Sequence, residues 1–172
     1  MMIGRLCLAQ SMHENIWEHL LKDQREQVAF IFADAQRQNL SLTLKATDVY
    51  LVPHEELDFH SSYHVSLTDE ALAKIIKMAW DRRAALVELH SHPHAIEASF
   101  SPSDLMALPD LVHHVRWRLK GQPYVAIVAA PNGFDALGWW NGDGPENLDA
   151  IEVGATVLRP TRVTLERIRE GK

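Results

Sequence analysis

The stretch Leu86-Val87-Glu88-Leu89-His90-Ser91-His92-Pro93, continued after a loop by Ser101-Pro102-Ser103-Asp104, decides how the rest of the chain is read. Ala84 to His90 is short and apolar and reads as a strand. Side chains alternate across a strand, so His90 and His92 share one face while Ser91 points to the other. Ser101 and Pro102 open a helix, with proline at the first helical position, where its missing N–H is no loss. A loop between the two can return Asp104 to the strand end. Two imidazoles and one carboxylate then converge, the donor set of a zinc site that keeps a fourth position for water. Imidazole favours zinc over magnesium, whose usual shell is oxygen, although other first-row metals accept the same donors. Singly the parts say less: His-x-His occurs on ordinary strands, and Asp104 also completes a capping box with Ser101.

Outward from this segment, strand and helix patterns interleave. Ile3 to Ala9 reads as a strand, and Ser11-Met12-His13-Glu14 has the form of a capping box before a helix striped by Ile16, Trp17, Leu20 and Leu21. Val28 to Ala33 is β-branched and aromatic, hence a buried strand. Leu40, Leu42 and Leu44 alternate with polar residues, and Val49 to Val52 continues the extended backbone. Residues 54–64 have no period and read as a loop. Thr68, followed by Asp69 and Glu70, caps the clearest helix, with Leu72, Ile75, Ile76 and Ala79 as its apolar stripe. The helix opening at Ser101 should stop at Gly121, with Pro109 as a point of division. Tyr124 to Ala130 and Phe134 to Trp140 flank the turn Pro131-Asn132-Gly133 and form a hairpin. Trp140 to Asn147 reads as a loop, and the tail from Arg159 as a strand and a short charged helix. Without regular βαβ spacing, this order predicts an α+β (α/β) class, a curved mixed β-sheet flanked by helices, as one domain over residues 1–172.

Composition narrows the function. The chain has 17 Lys plus Arg against 23 Asp plus Glu, a net charge of −6, which argues against a broad phosphate-binding face and so against nucleic acid as partner. No run approaches the roughly 18 apolar residues of a membrane span. Cys7, the single cysteine, cannot form an internal disulfide, so a cytoplasmic setting is expected. Ten histidines are unusual, and their clustering between His54 and His114 points again to a metal. His113 and His114 are adjacent on a helix and cannot share a face, so they carry no role, while His94 lines the rim as an outer neighbour of the ligands.

The combination His90-Ser91-His92-Pro93 with Ser101-Pro102-Ser103-Asp104 resembles the motif of the JAB/MPN metalloproteases, the JAMM family. Upstream, Glu26-Gln27-Val28-Ala29-Phe30-Ile31-Phe32-Ala33 is similar to that family's glutamate-bearing strand, with alanines where it has two glycines. The spacer between His92 and Ser101 is one residue longer than usual, which a loop absorbs. The resemblance covers Ile16 to Trp140. It implies a JAB/MPN-like, cytidine deaminase-like architecture with Zn2+ on His90, His92 and Asp104. It further implies Glu26 as general base, Ser101 as donor to the oxyanion, and a ubiquitin-like or sulfur-carrier protein cut at its C-terminal tail. Glu88 shares the strand face of His90, and Glu55, Glu56 and Glu97 are further carboxylates able to act as the base. A non-catalytic MPN-type scaffold is the alternative of another class. A barrel amidohydrolase also uses His-x-His, but 172 residues fall short of its ~200 or more.

Overall fold

The computed structural model describes residues 2–142 and 144–171. In chain order it contains β1 (Ile3–Leu8), α1 (Gln10–Leu20), β2 (Val28–Gln38), β3 (Ser41–Leu51), a 3₁₀ turn (His54–Glu56), β4 (Leu57–His60), β5 (Val65–Leu67), α2 (Asp69–Arg82), β6 (Ala85–Ser91), α3 (Pro102–Arg118), β7 (Tyr124–Ala130), β8 (Gly133–Trp139), β9 (Glu146–Val153), β10 (Thr156–Leu158) and α4 (Val163–Glu170). The sheet order is β1-β3-β2-β6-β7-β8-β9-β10, and β1 also pairs with β9, so the first seven strands close on themselves. The sheet is mixed: β6 runs parallel to β7, the two joined by α3 as a parallel pair requires, while β2 is antiparallel to both β3 and β6. The class is the expected α+β. Seven strands of mixed direction also differ from the eight parallel strands of an amidohydrolase barrel.

Closure gives the strands an enclosed face and an outer one. All seven ring strands contribute to the enclosed core, among them Leu6, Ile31, Leu44, Val87, Ile127, Ala136 and Ile151, and α1 adds Ile16 and Leu20. The Trp140 ring packs there against Gly138, where a Cβ would fall 1.8 Å from it. The outer core is assembled from β2, β6, β7 and β8 beneath α2, α3 and α4, with Phe30, Phe32, Ile75, Leu86, Leu108, Val112 and Leu165 buried. Burial on both faces explains why β7, and β6 as far as Val87, read as apolar runs and not as alternation.

Several local expectations are corrected. α1 starts one residue before Ser11 and has no side-chain cap: Ala9 O accepts from His13 N at 3.0 Å, and Glu14 pairs with Gln10 Nε2 at 3.1 Å. β2 continues to Gln38 because its pairing with β3 outlasts its burial; residues 36–38 are exposed and lose the hydrophobic signal. Residues 54–64 hold a 3₁₀ turn and β4, which hairpins onto β5. Pro109 does not divide α3, since Leu108, Val112 and Val115 hold the helix to the sheet and one lost ladder bond is tolerated on the exposed side. The tail strand from Arg159 is absent. Arg159 and Arg162 instead pair with Asp149 of β9, a strand the composition of the preceding loop had hidden. Among the described residues no helix is long and apolar enough to cross a membrane.

Candidate metal centre

Val28 of β2 lies opposite His90 of β6. The pairing runs past the strand ends: Ser91 N donates to Gln27 O at 3.1 Å, and Ser91 Oγ, turned to the inner side, accepts from Gln27 N at 2.9 Å. Glu26 therefore falls beside His92 on the outer side, with Oε1 3.6 Å from His92 Nε2. Its own backbone N donates to Ser61 O at 2.8 Å, which ties it to the turn after β4.

The ligand atoms of His90, His92 and Asp104 all lie within 4.8 Å of one another. Asp104 Oδ2 sits 3.4 Å from His90 Nε2 and 3.3 Å from His92 Nε2, and the two rings meet edge-on with centroids 5.0 Å apart. His90 Nε2 is buried and makes no hydrogen bond, a costly state for a polar nitrogen unless something else satisfies it. A metal ion would do so, and two neutral imidazoles with one carboxylate fit zinc and its neighbours in the first transition row. The capping box is present as well: Ser101 N donates to Asp104 Oδ2 at 2.8 Å, and Asp104 N to Ser101 Oγ at 3.2 Å. One carboxylate thus serves the helix terminus and the ligand group together. Ser101 Oγ is also 3.0 Å from Ser103 Oγ, and it is Ser103 that lines the adjoining cleft.

Electrostatics separate the carboxylates. Burial raises the Glu26 carboxyl above the ordinary glutamate value, against the lowering effect of His90 and His92. Burial also pushes the Asp104 carboxyl up, but the His90 and His92 rings beside it outweigh burial and hold the group well below the usual carboxylate range. For His90 desolvation acts downward, and the Asp104 carboxylate overcomes it, leaving a net rise. Of the other acids weighed as bases, Glu56 is held by Lys74 and the Tyr50 hydroxyl, Glu55 and Glu97 are exposed, and Glu88 accepts from the Tyr124 hydroxyl. Glu26, 4 % exposed, is the one brought against His92. His94 is exposed at the rim with its ring beside Tyr63, and His113 and His114 are exposed on α3.

The support for the ligand loop comes from residues that sequence reasoning passed over. The buried Asp135 carboxylate accepts from Arg162 N at 3.0 Å and Thr164 N at 2.9 Å, fixing the start of α4. Thr164 Oγ1 then accepts from Phe100 N at 2.9 Å, and Thr161 Oγ1 donates to Ala98 O at 2.7 Å, so the C-terminal segment clamps the approach to Ser101 and Asp104. No local pattern announces a contact across more than sixty residues; a lone aspartate inside an apolar strand was the available hint.

A cleft of about 200 Å³ opens from the ligand group. Val28, Phe30, Glu88 and His90 form its floor, β5 with Leu72 one wall, and α3 from Ser103 to Leu111 the other. No family model matches the chain, and no curated protein matches it. Fold and site together define an α+β protein with a His-His-Asp group able to hold one metal ion.

Proposed function

We propose that the protein is a zinc-dependent metallopeptidase or isopeptidase of the JAB/MPN type. The observation that carries this reading is the buried Glu26 carboxylate, 3.6 Å from a candidate ligand yet outside the ligand group. A general base must lie near the metal without being consumed by it. His90, His92 and Asp104 would hold the ion and leave one position open. Zinc, when bound there, polarises a carbonyl and acidifies water. Glu26, its affinity for a proton raised by burial, takes the proton of the attacking water and returns it to the leaving amine. Ser101 Oγ accepts from Asp104 N and shares a contact with Ser103 Oγ, and by the family resemblance its proton would go to the developing oxyanion.

A peptidase needs its substrate extended, and β5 supports this, since among the described residues it has a ladder partner, β4, on one side only. The proposed substrate is the C-terminal tail of a ubiquitin-like or sulfur-carrier protein in the cytoplasm. Metal analysis of the purified protein, paired with cleavage of a ubiquitin-like C-terminal fusion, tests the proposal. About one zinc per chain and cleavage at the tail is the expected result. A metal-free protein, or a zinc-loaded one that spares every such tail, defeats it and favours a scaffold.

A further inference from the structure

Glu88 has no part in the mechanism above, yet it occupies the floor of the cleft that leads from the metal ligands. Val28, Phe30, Leu67, Leu72, Leu108 and Leu111 give the cleft apolar walls, and His64, Ser66, His90, Ser103 and Asp104 line it as well. A carboxylate half withdrawn from water is costly without a countercharge. Among the described residues its hydrogen bond comes from the Tyr124 hydroxyl, to Oε2, and no lysine or arginine pairs with it. Tyr124 is itself fully buried between strands, so it fixes that oxygen and leaves Oε1 for whatever enters the cleft.

We propose that Glu88 is a specificity-determining residue and that the cleft takes a peptide side chain with a cationic head, lysine or arginine, near the scissile bond. This rests on the peptidase reading and names the substrate feature it selects. A largely apolar cleft with a carboxylate on its floor suits such side chains, whose methylene stems bury while the charged tip seeks a partner. Arginine meets a carboxylate with two parallel hydrogen bonds and lysine with one. Spacing sets the position. Residues 88 and 90 are two apart on one strand face, about 7 Å, and an extended substrate advances about 3.3 Å per residue. The side chain that reaches Glu88 therefore belongs to a residue about two positions from the one whose carbonyl lies at His90, whichever way the peptide runs. A neutral or acidic residue there would leave Glu88 unpaired or repelled, which gives discrimination as well as affinity.

The test uses the full zinc-loaded chain and internally quenched peptides that differ at one position at a time, carrying lysine, arginine, norleucine or glutamate on either side of the cleaved bond. Lysine or arginine at one position, about two residues from the bond, should raise kcat/KM about tenfold or more over norleucine. Glu88→Gln should bring lysine and norleucine to the same rate. Glu88→Arg should turn the preference towards glutamate, a gain that misfolding cannot mimic. Zinc content and melting temperature are read on each variant. Peptides cleaved without any basic preference, or a preference that survives in Glu88→Gln, overturn this inference and leave the peptidase standing. Failure of the zinc-loaded parent to cleave both these peptides and a ubiquitin-like C-terminal fusion overturns the peptidase reading and this inference with it, whereas cleavage of the fusion alone overturns this inference only.

Discussion

The two faces of the β2–β6 pair are built from the same few residues of backbone and have opposite uses. On the enclosed side Ala29, Ile31, Ala33, Ala85, Val87 and Leu89 are fully buried and wholly apolar. On the outer side the same alternation delivers Phe30 and Val28 and then, as the strands run out from under α2 and α3, Glu88, His90, His92 and Glu26. The enclosed face is covered at every point by the ring, whereas the outer face is covered only as far as its helices reach. The candidate ligand group sits where coverage stops. Ser91 joins the two, because its hydroxyl on the inner side holds Gln27 and so fixes the neighbouring Glu26 on the outer side.

This contrast can be broken from either side. The largest effect belongs to the outer face: His90→Ala or His92→Ala should abolish zinc binding and reduce cleavage to background, by metal analysis and assay, with secondary structure intact by circular dichroism. Next, Glu26→Gln should keep zinc and lose turnover by ~10²–10⁴-fold. The pH profile should carry the same mark. If Glu26 is the base, the acid limb of the parent's profile should be absent from the residual activity of Glu26→Gln. The linked stability follows in sign. A raised folded value means that ionising Glu26 costs stability as pH rises from the unfolded value of about 4.3. Metal-free Glu26→Gln should therefore melt above the metal-free parent at neutral pH, and the difference should vanish below about pH 4.

On the enclosed face the expectation inverts. Ile31→Ala should cost about 2–5 kcal/mol in denaturant unfolding through the cavity it leaves, while the folded fraction keeps zinc and turnover. The smallest effect is on the link. Ser91→Ala leaves the buried Gln27 N–H without its hydroxyl partner, worth about 1–3 kcal/mol, and should lower turnover at unchanged zinc content. Unchanged turnover would separate Glu26 from the inner face.

Legibility followed the range of each interaction. His90 and His92 on one face, Thr68 as cap and the Tyr124 to Trp139 hairpin follow from neighbours in sequence, and the structure has them. Asp104 was legible because a capping box and a short loop constrain where a helix begins. Closure of the sheet was not, because it depends on β1 meeting β9, strands more than 140 residues apart in register. The Asp135–Thr164–Phe100 clamp and the Tyr124–Glu88 pair escaped for the same reason. β9 was hidden by a glycine-rich approach and by half-exposed residues at its start.

Closure also bears on how this protein behaves in a crowd. An open sheet of this size ends in two rows of unpaired backbone groups, and such rows template sheet growth between molecules. Here β1 completes the ring, and the added β10 is three residues long. The short β4–β5 hairpin is a separate two-stranded sheet and presents edges of its own. Closure therefore removes most of the edge along which sheets of different molecules could join, and the β4–β5 hairpin beside the cleft keeps a row of its own.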